Sequence, residues 1–153
     1  MKGNAKVIET LNFLLADELA AINQYIVHSE MFANWGYEKL HQDTEKRAIT
    51  EMKHAEKHIA RILFLEGLPI VTELHPIHIG ADVKLMFEND LAAEQGAVKA
   101  YNDGIQVCVT AKDNGTKELL DDILVDEENH LDYIETQLSQ IEQLGLANYL
   151  TTK

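Results

Sequence analysis

Apolar residues recur at intervals of three and four along most of the chain, the period of helices that bury one face. Between residues 5 and 35 the series is Ile8, Leu11, Leu15, Ile22, Tyr25 and Phe32, and Gly36 follows it as a stop. A second helix is predicted over 38–66, ending at Gly67, with Pro69 preventing continuation. The third, over 82–113, carries Val83, Phe87, Leu91, Tyr101, Ile105 and Cys108 on its apolar face. Asp113-Asn114-Gly115 reads as a turn, a fourth helix covers 116–144 before Gly145, and 146–150 adds a short apolar turn expected to pack on neighbouring subunits. Gly96 and Gly104 each cost about 1 kcal/mol relative to alanine inside a helix, so both read as points of close packing.

The connections set the topology. Short turns join helices one to two and three to four, so each pair is an antiparallel hairpin. The link over 67–80 has fourteen residues and reaches roughly 46–50 Å when extended. A thirty-residue helix is about 45 Å long. The link therefore spans the whole bundle and leaves helices two and three parallel. The expectation is an all-α four-helix bundle with one long crossover, spanning 1–153 as one domain.

Two glutamates interrupt the apolar faces. Glu18 sits in the first series and Glu94 in the third, where a bare charge is costly unless something compensates it. Helix two carries Glu51-Met52-Lys53-His54, and the same Glu-x-x-His spacing returns 76 residues later at Glu127-Glu128-Asn129-His130. Residues three apart on a helix point the same way and can hold one metal together. Glu18 and Glu94 obey the same shift, each lying 33 residues before its Glu-x-x-His glutamate, and Tyr25 and Tyr101 each follow seven residues later. One such motif is commonplace on a solvated helix; two copies in phase with two further glutamates are not. Glu18 and Glu51 are equidistant from the first turn and Glu94 and Glu127 nearly so from the second, so each hairpin brings its two glutamates level.

Four carboxylates and two imidazoles suit a pair of hard-to-borderline ions such as iron or manganese, with carboxylates bridging. Two divalent ions balance the four carboxylates, and two ferric ions joined by one oxide balance them again. The set thus tolerates a two-electron oxidation. Zinc favours tetrahedral sites containing sulfur, which this set lacks.

Composition narrows the field. A formal charge of −13 argues against nucleic acid or an anionic membrane and for attraction of cations. Cys108 is the one cysteine, so no intrachain disulfide can form and a reducing compartment, the cytoplasm, is expected. The first residues lack a basic-then-apolar leader, and no apolar run approaches the roughly 18 residues of a membrane helix. A rubrerythrin-like electron carrier would need a Cys-x-x-Cys pair. A DNA-coating miniferritin would place its ligands between subunits.

Several stretches carry a resemblance: Met1-Lys2-Gly3, Leu19-Ala20-Ala21-Ile22-Asn23-Gln24-Tyr25, Trp35-Gly36, Glu51-Met52-Lys53-His54-Ala55, the run from Arg61 to Pro69, and Gly145-Leu146-Ala147-Asn148-Tyr149-Leu150. Over nearly its full length the chain resembles the bacterioferritins, ferritin-like di-iron carboxylate proteins of the bundle type described above. The resemblance implies a ferroxidase that oxidises ferrous iron with oxygen or peroxide and stores ferric mineral in a hollow homo-oligomeric shell of about 24 subunits built from dimers. A ferredoxin-type reductant would serve iron release. Glu18, Glu51, His54, Glu94, Glu127 and His130 match the family's ligands for two iron ions per subunit, and Tyr25 matches a tyrosine assisting electron transfer there. Met52 matches the methionine that ligates haem, of b-type or related porphyrin, one per two subunits. Glu45, Lys46 and Thr50 stand where relatives often have tyrosine, histidine and aspartate, and Tyr133 where tryptophan is common. These departures put an accessory iron site on the inner surface in doubt.

From the residues alone, Met52 points about 100° away from its neighbour Glu51 and reads as an interface methionine. Tyr25 and Tyr101 stand equally well as core aromatics. His28, His41, His58, His75 and His78 lie outside the repeat and read as surface or core residues, and Cys108 as packed. The competing function is a di-iron, oxygen-activating oxidoreductase with an organic substrate, which needs a substrate pocket beside the metals.

Overall fold

Asn4 starts the first helix by accepting backbone N–H groups of Lys6 at 2.8 Å and Val7 at 3.4 Å through its side chain. The computed structural model describes Met1–Lys153, and its helices are α1 (Ala5–Asn34), α2 (Glu38–Phe64), α3 (Val83–Ala111), α4 (Asn114–Leu144) and α5 (Leu146–Leu150). Asp82 and Asp113 cap α3 and α4 in the same way as Asn4, each accepting an N–H at 2.9 Å. Gly36, with φ of 84°, turns the chain between α1 and α2. Two C-termini depart from the glycine-stop expectation. Glu66 and Lys112 take the left-handed conformation themselves, at φ 59° and 57°, and at α3 the N–H of Asp113 closes onto Cys108 and that of Lys112 onto Val109. Gly67 is required for space instead, since a Cβ there would press on the Ile8 side chain at 2.7 Å.

The four long helices form the bundle with one long crossover. Along α1 and α3, Gln24 meets Asp90, Tyr25 meets Glu94 and Tyr101 meets Glu18, so these helices are antiparallel. Contacts of Arg61 with Asp113, His54 with Asp126 and Tyr133 with Asp43 make α2 and α4 antiparallel too. The crossover climbs alongside α1. Gly3 donates to the Leu65 carbonyl, Asn12 bonds Leu68 and Ile70, His75 meets Asp17, Gln24 accepts from His78, and His28 accepts from Gly80. No helix is long and apolar enough to cross a membrane.

The core has two apolar ends. One contains Val7, Leu11, Leu15, Ile62, Ile105, Leu120 and Ile123; the other Phe32, Leu40, Val83, Phe87, Ile134, Ile141 and Tyr149. Along each of the four long helices the residues singled out above, Glu18, Glu51 and His54, Glu94, and Glu127 and His130, lie between these clusters. Gly104 packs tightly, with a Cβ there reaching 3.1 Å from Thr10, whereas Gly96 faces open space and is no packing point. The C-terminal turn makes contacts within the chain as well. It closes on its own bundle, where Tyr149 is buried and its hydroxyl donates to Gln137 at 2.6 Å.

Candidate metal centre

Each long helix sends its predicted residues inward at one level. Glu18 from α1, Glu51 and His54 from α2, Glu94 from α3, and Glu127 from α4 are all at most 3% exposed; His130 from α4 keeps its side chain 16% exposed. Their donor atoms fall into two quartets, Glu18-Glu51-His54-Glu127 and Glu51-Glu94-Glu127-His130, each within 4.8 Å. Glu51 and Glu127 belong to both. His54 Nδ1 lies 3.0 Å from Glu51 Oε2 and 2.8 Å from Glu127 Oε1, while His130 Nδ1 lies 2.9 Å from Glu51 Oε1 and 3.9 Å from Glu127 Oε2. Each shared carboxylate divides its two oxygens between the halves.

The layer fits cations better than it fits itself. Glu51 Oε1, Glu94 Oε2, Glu127 Oε1 and His130 Nδ1 are buried without a hydrogen bond of proper geometry, although Glu51 Oε1 and His130 Nδ1 approach to 2.9 Å and Glu127 Oε1 and His54 Nδ1 to 2.8 Å. Four such atoms at one place are costly unless a common partner satisfies them. Burial, with Glu51 alongside, pushes the Glu18 carboxyl up to about 8. Burial and the charges of Glu51 and Glu18 push Glu127 up to about 7, and burial with Glu127 nearby drives Glu94 well upward. Burial acts against a charged His54, but the carboxylates of Glu127, Glu18 and Glu51 crowded around its ring outweigh it and raise its pKa far above the ordinary range. The cation-free layer is therefore a proton-holding cluster.

The tyrosines left open by the sequence have defined partners. Tyr25 donates to Glu94 and Tyr101 donates to Glu18, a crossed pair. The crossing follows from antiparallel helices: a seven-residue step up one matches a seven-residue step down the other. Tyr25 lies beneath the Arg47 guanidinium, 4.2 Å from ring centroid to Cζ. Arg47 in turn pairs with the buried Asp90 at 2.7 Å, which also takes His28 at 2.9 Å and Gln24 at 2.8 Å. Tyr101 stacks on buried His58, whose Nε2 is 2.6 Å from the phenol oxygen. Sequence spacing had flagged neither Arg47, Asp90, His28 nor His58. Such pairs join residues 43 to 66 apart with no local pattern. Asp126, which holds His54 Nε2 at 3.0 Å, is likewise unmarked by the Glu-x-x-His spacing. Cys108 is buried and its thiol is pushed up to about 11 by that burial, in keeping with a packing role.

Met52 lies apart from this layer. It is 42% exposed on the outside of α2, and Ile49, one turn earlier, is 47% exposed. Between α1 and α3 a groove of about 760 Å³ runs inward from a rim that includes Lys6, Asp17, His75 and Asp103, past Ala92, Ala93 and Ala97, to Tyr25, Glu18, Glu94 and Glu127.

The sequence pattern of the family described as Ferritin, ferritin-like domain, matches residues 8–144. The chain is 44% identical over 145 residues to a bacterioferritin of Rhodobacter capsulatus, covering 95% of this chain and 90% of that one. It is 42% identical over 149 residues to one of Brucella melitensis, covering 97% and 92%. To one of Mycolicibacterium paratuberculosis it is 41% identical over 149 residues, covering 97% and 94%.

Proposed function

The chain belongs to the bacterioferritins within the ferritin-like family, and on that premise we propose that it stores iron, taking up ferrous ions as substrate at the buried Glu/His layer and oxidising them there. The observation that carries this reading is the set of four buried, unsatisfied donor atoms converging from three helices. Glu18 and His54 hold one ion, Glu94 and His130 the other, and Glu51 and Glu127 bridge both. Bound as a pair, two ferrous ions supply two electrons to dioxygen or peroxide. Tyr25 and Tyr101 hold Glu94 and Glu18 in place from outside the layer. The groove between α1 and α3 is the route inward, and the two apolar ends of the core keep bulk water from the site.

Storage implies a multi-subunit homo-oligomer, which we take to be a shell of about 24 copies. Met52 suits haem ligation from this chain's side: its thioether faces outward beside exposed Ile49, apolar surface a porphyrin plane can cover. A twofold partner would supply the second sulfur, giving one haem per two chains.

Anaerobic titration with Co(II) is expected to give two tight ions per chain, about 3.5–4 Å apart. Glu94→Ala and His130→Ala should each abolish rapid ferrous oxidation while the helical spectrum survives; unchanged rates in both would overturn the assignment. One observation favours a second reading. A groove of 760 Å³ reaching three of the four carboxylates is large enough for a small organic molecule, as a di-iron oxygen-activating oxidoreductase requires. Such an enzyme would retain its two ions through turnover, and a store would not.

A further inference from the structure

The two Glu-x-x-His helices repeat each other, but the far sides of their histidines do not. His54 turns Nδ1 toward Glu51 and Glu127 and gives its other nitrogen, Nε2, to Asp126 Oδ2 at 3.0 Å. Asp126 stands immediately before Glu127. By the 76-residue repeat, the residue placed to do the same for His130 is the one immediately before Glu51, which is Thr50. Thr50 spends its hydroxyl on the Lys46 carbonyl of its own helix at 3.2 Å. His130 Nε2 has no hydrogen bond within the chain, and the His130 side chain is 16% exposed against 1% for His54.

A carboxylate on the outer nitrogen of a metal-binding imidazole fixes its tautomer and ring orientation and makes it a stronger donor. A second difference has the same sense. The tyrosine behind Glu94 lies under the Arg47 guanidinium, whereas the one behind Glu18 stacks on the His58 imidazole. Arg47 is paired with Asp90, so a dipole rather than a free charge stands there, but its cationic end faces the ring of Tyr25.

We propose that Asp126 and Thr50, as positioning residues, make the two halves of the centre unequal: the Glu18–His54 half fills first and keeps its ion, and the Glu94–His130 half fills second and exchanges it. This rests on the two-ion reading above and adds an order of filling to it.

The test is anaerobic Co(II) titration of the assembled, metal-free protein, read by visible absorbance and by competition with a chelator of known affinity. Two steps are expected, with dissociation constants about 10–100-fold apart. Asp126→Asn should weaken the tighter step by about that factor and leave the weaker one in place. Thr50→Asp should offer His130 the missing carboxylate and tighten the weaker step alone. His130→Ala should remove the weaker step and spare the tighter one. Asp126 and Thr50 are part-exposed, so both variants should fold, checked by thermal unfolding of the metal-free forms. Two equal steps in the unmodified chain, loss of the tighter step in His130→Ala, or affinities unmoved in both Asp126→Asn and Thr50→Asp would overturn the proposal. Two equal tight ions would still leave the two-ion centre standing; absence of tight Co(II) binding would remove that centre as well.

Discussion

Adding metal to the cation-free protein should expel protons, in a number the buried layer sets. With its carboxyl at about 8, Glu18 is about nine-tenths protonated at pH 7, and Glu127, at about 7, about half. His54, raised far above neutrality by its carboxylate partners, carries its extra proton throughout this range. Glu94, driven well upward chiefly by burial, adds to the total. Ligation needs ionised carboxylates and a free imidazole nitrogen, so binding two divalent ions at pH 7 should release about two to four protons per chain. Anaerobic calorimetric titration with Co(II) in buffers of different ionisation enthalpy measures this number directly. At pH 8.5 the release should fall by about one, because most of the Glu18 and Glu127 protons are already gone, and apparent affinity should rise between pH 6.5 and 8.5. Release of less than one proton at pH 7, independent of pH, would mean that the ions bind elsewhere or that the carboxylates were never protonated.

Stability of the metal-free protein should run the other way with pH. The folded state raises Glu18 from an ordinary 4.5 to about 8, so it holds extra protons between those values, and the stability linked to this proton is full below about 4.5 and lost by about 8. Thermal midpoints should therefore fall from pH 5 to pH 8 without metal and flatten with metal bound; a rise would contradict the burial reasoning. Lys112→Gly should stabilise the fold by about 1 kcal/mol, since a left-handed lysine at φ 57° becomes an unstrained glycine; chemical denaturation with an unchanged slope would show it. Met52→Leu should abolish the haem spectrum and leave ferrous oxidation intact, and a variant that kept its haem would remove Met52 as the axial ligand.

Much of the architecture was legible because its signals are local. Gly36, Pro69, Asp82, Asp113 and Gly145 mark helix ends directly, and all predicted boundaries fall within about two residues of those observed. The exceptions are physical. Glu66 and Lys112 carry left-handed turns that glycine would take more easily, at a cost of about 1–2 kcal/mol each that local hydrogen bonds help offset, so no sequence signal marks them. Gly96 looked like Gly104 in sequence but opens onto the groove between α1 and α3. The convergence of Glu18, Glu51, His54, Glu94, Glu127 and His130 could be read because an internal repeat doubled every clue. What surrounds them could not, because Arg47–Asp90–His28 and Tyr101–His58 are contacts between distant segments with no counterpart in the repeat. The difference between Asp126 and Thr50 was visible in the sequence, yet it acquired meaning only once His54 Nε2 was seen to face outward.

The central claim is that the layer passes its iron onward. Aerobic loading with ferrous iron, then gel filtration and determination of iron per protein, measures this, with particle size read by light scattering on the same fractions. A large homo-oligomer carrying far more than two irons per chain is the expected result. A monomer or dimer that saturates at two would contradict it and leave the organic-substrate oxidoreductase as the better description.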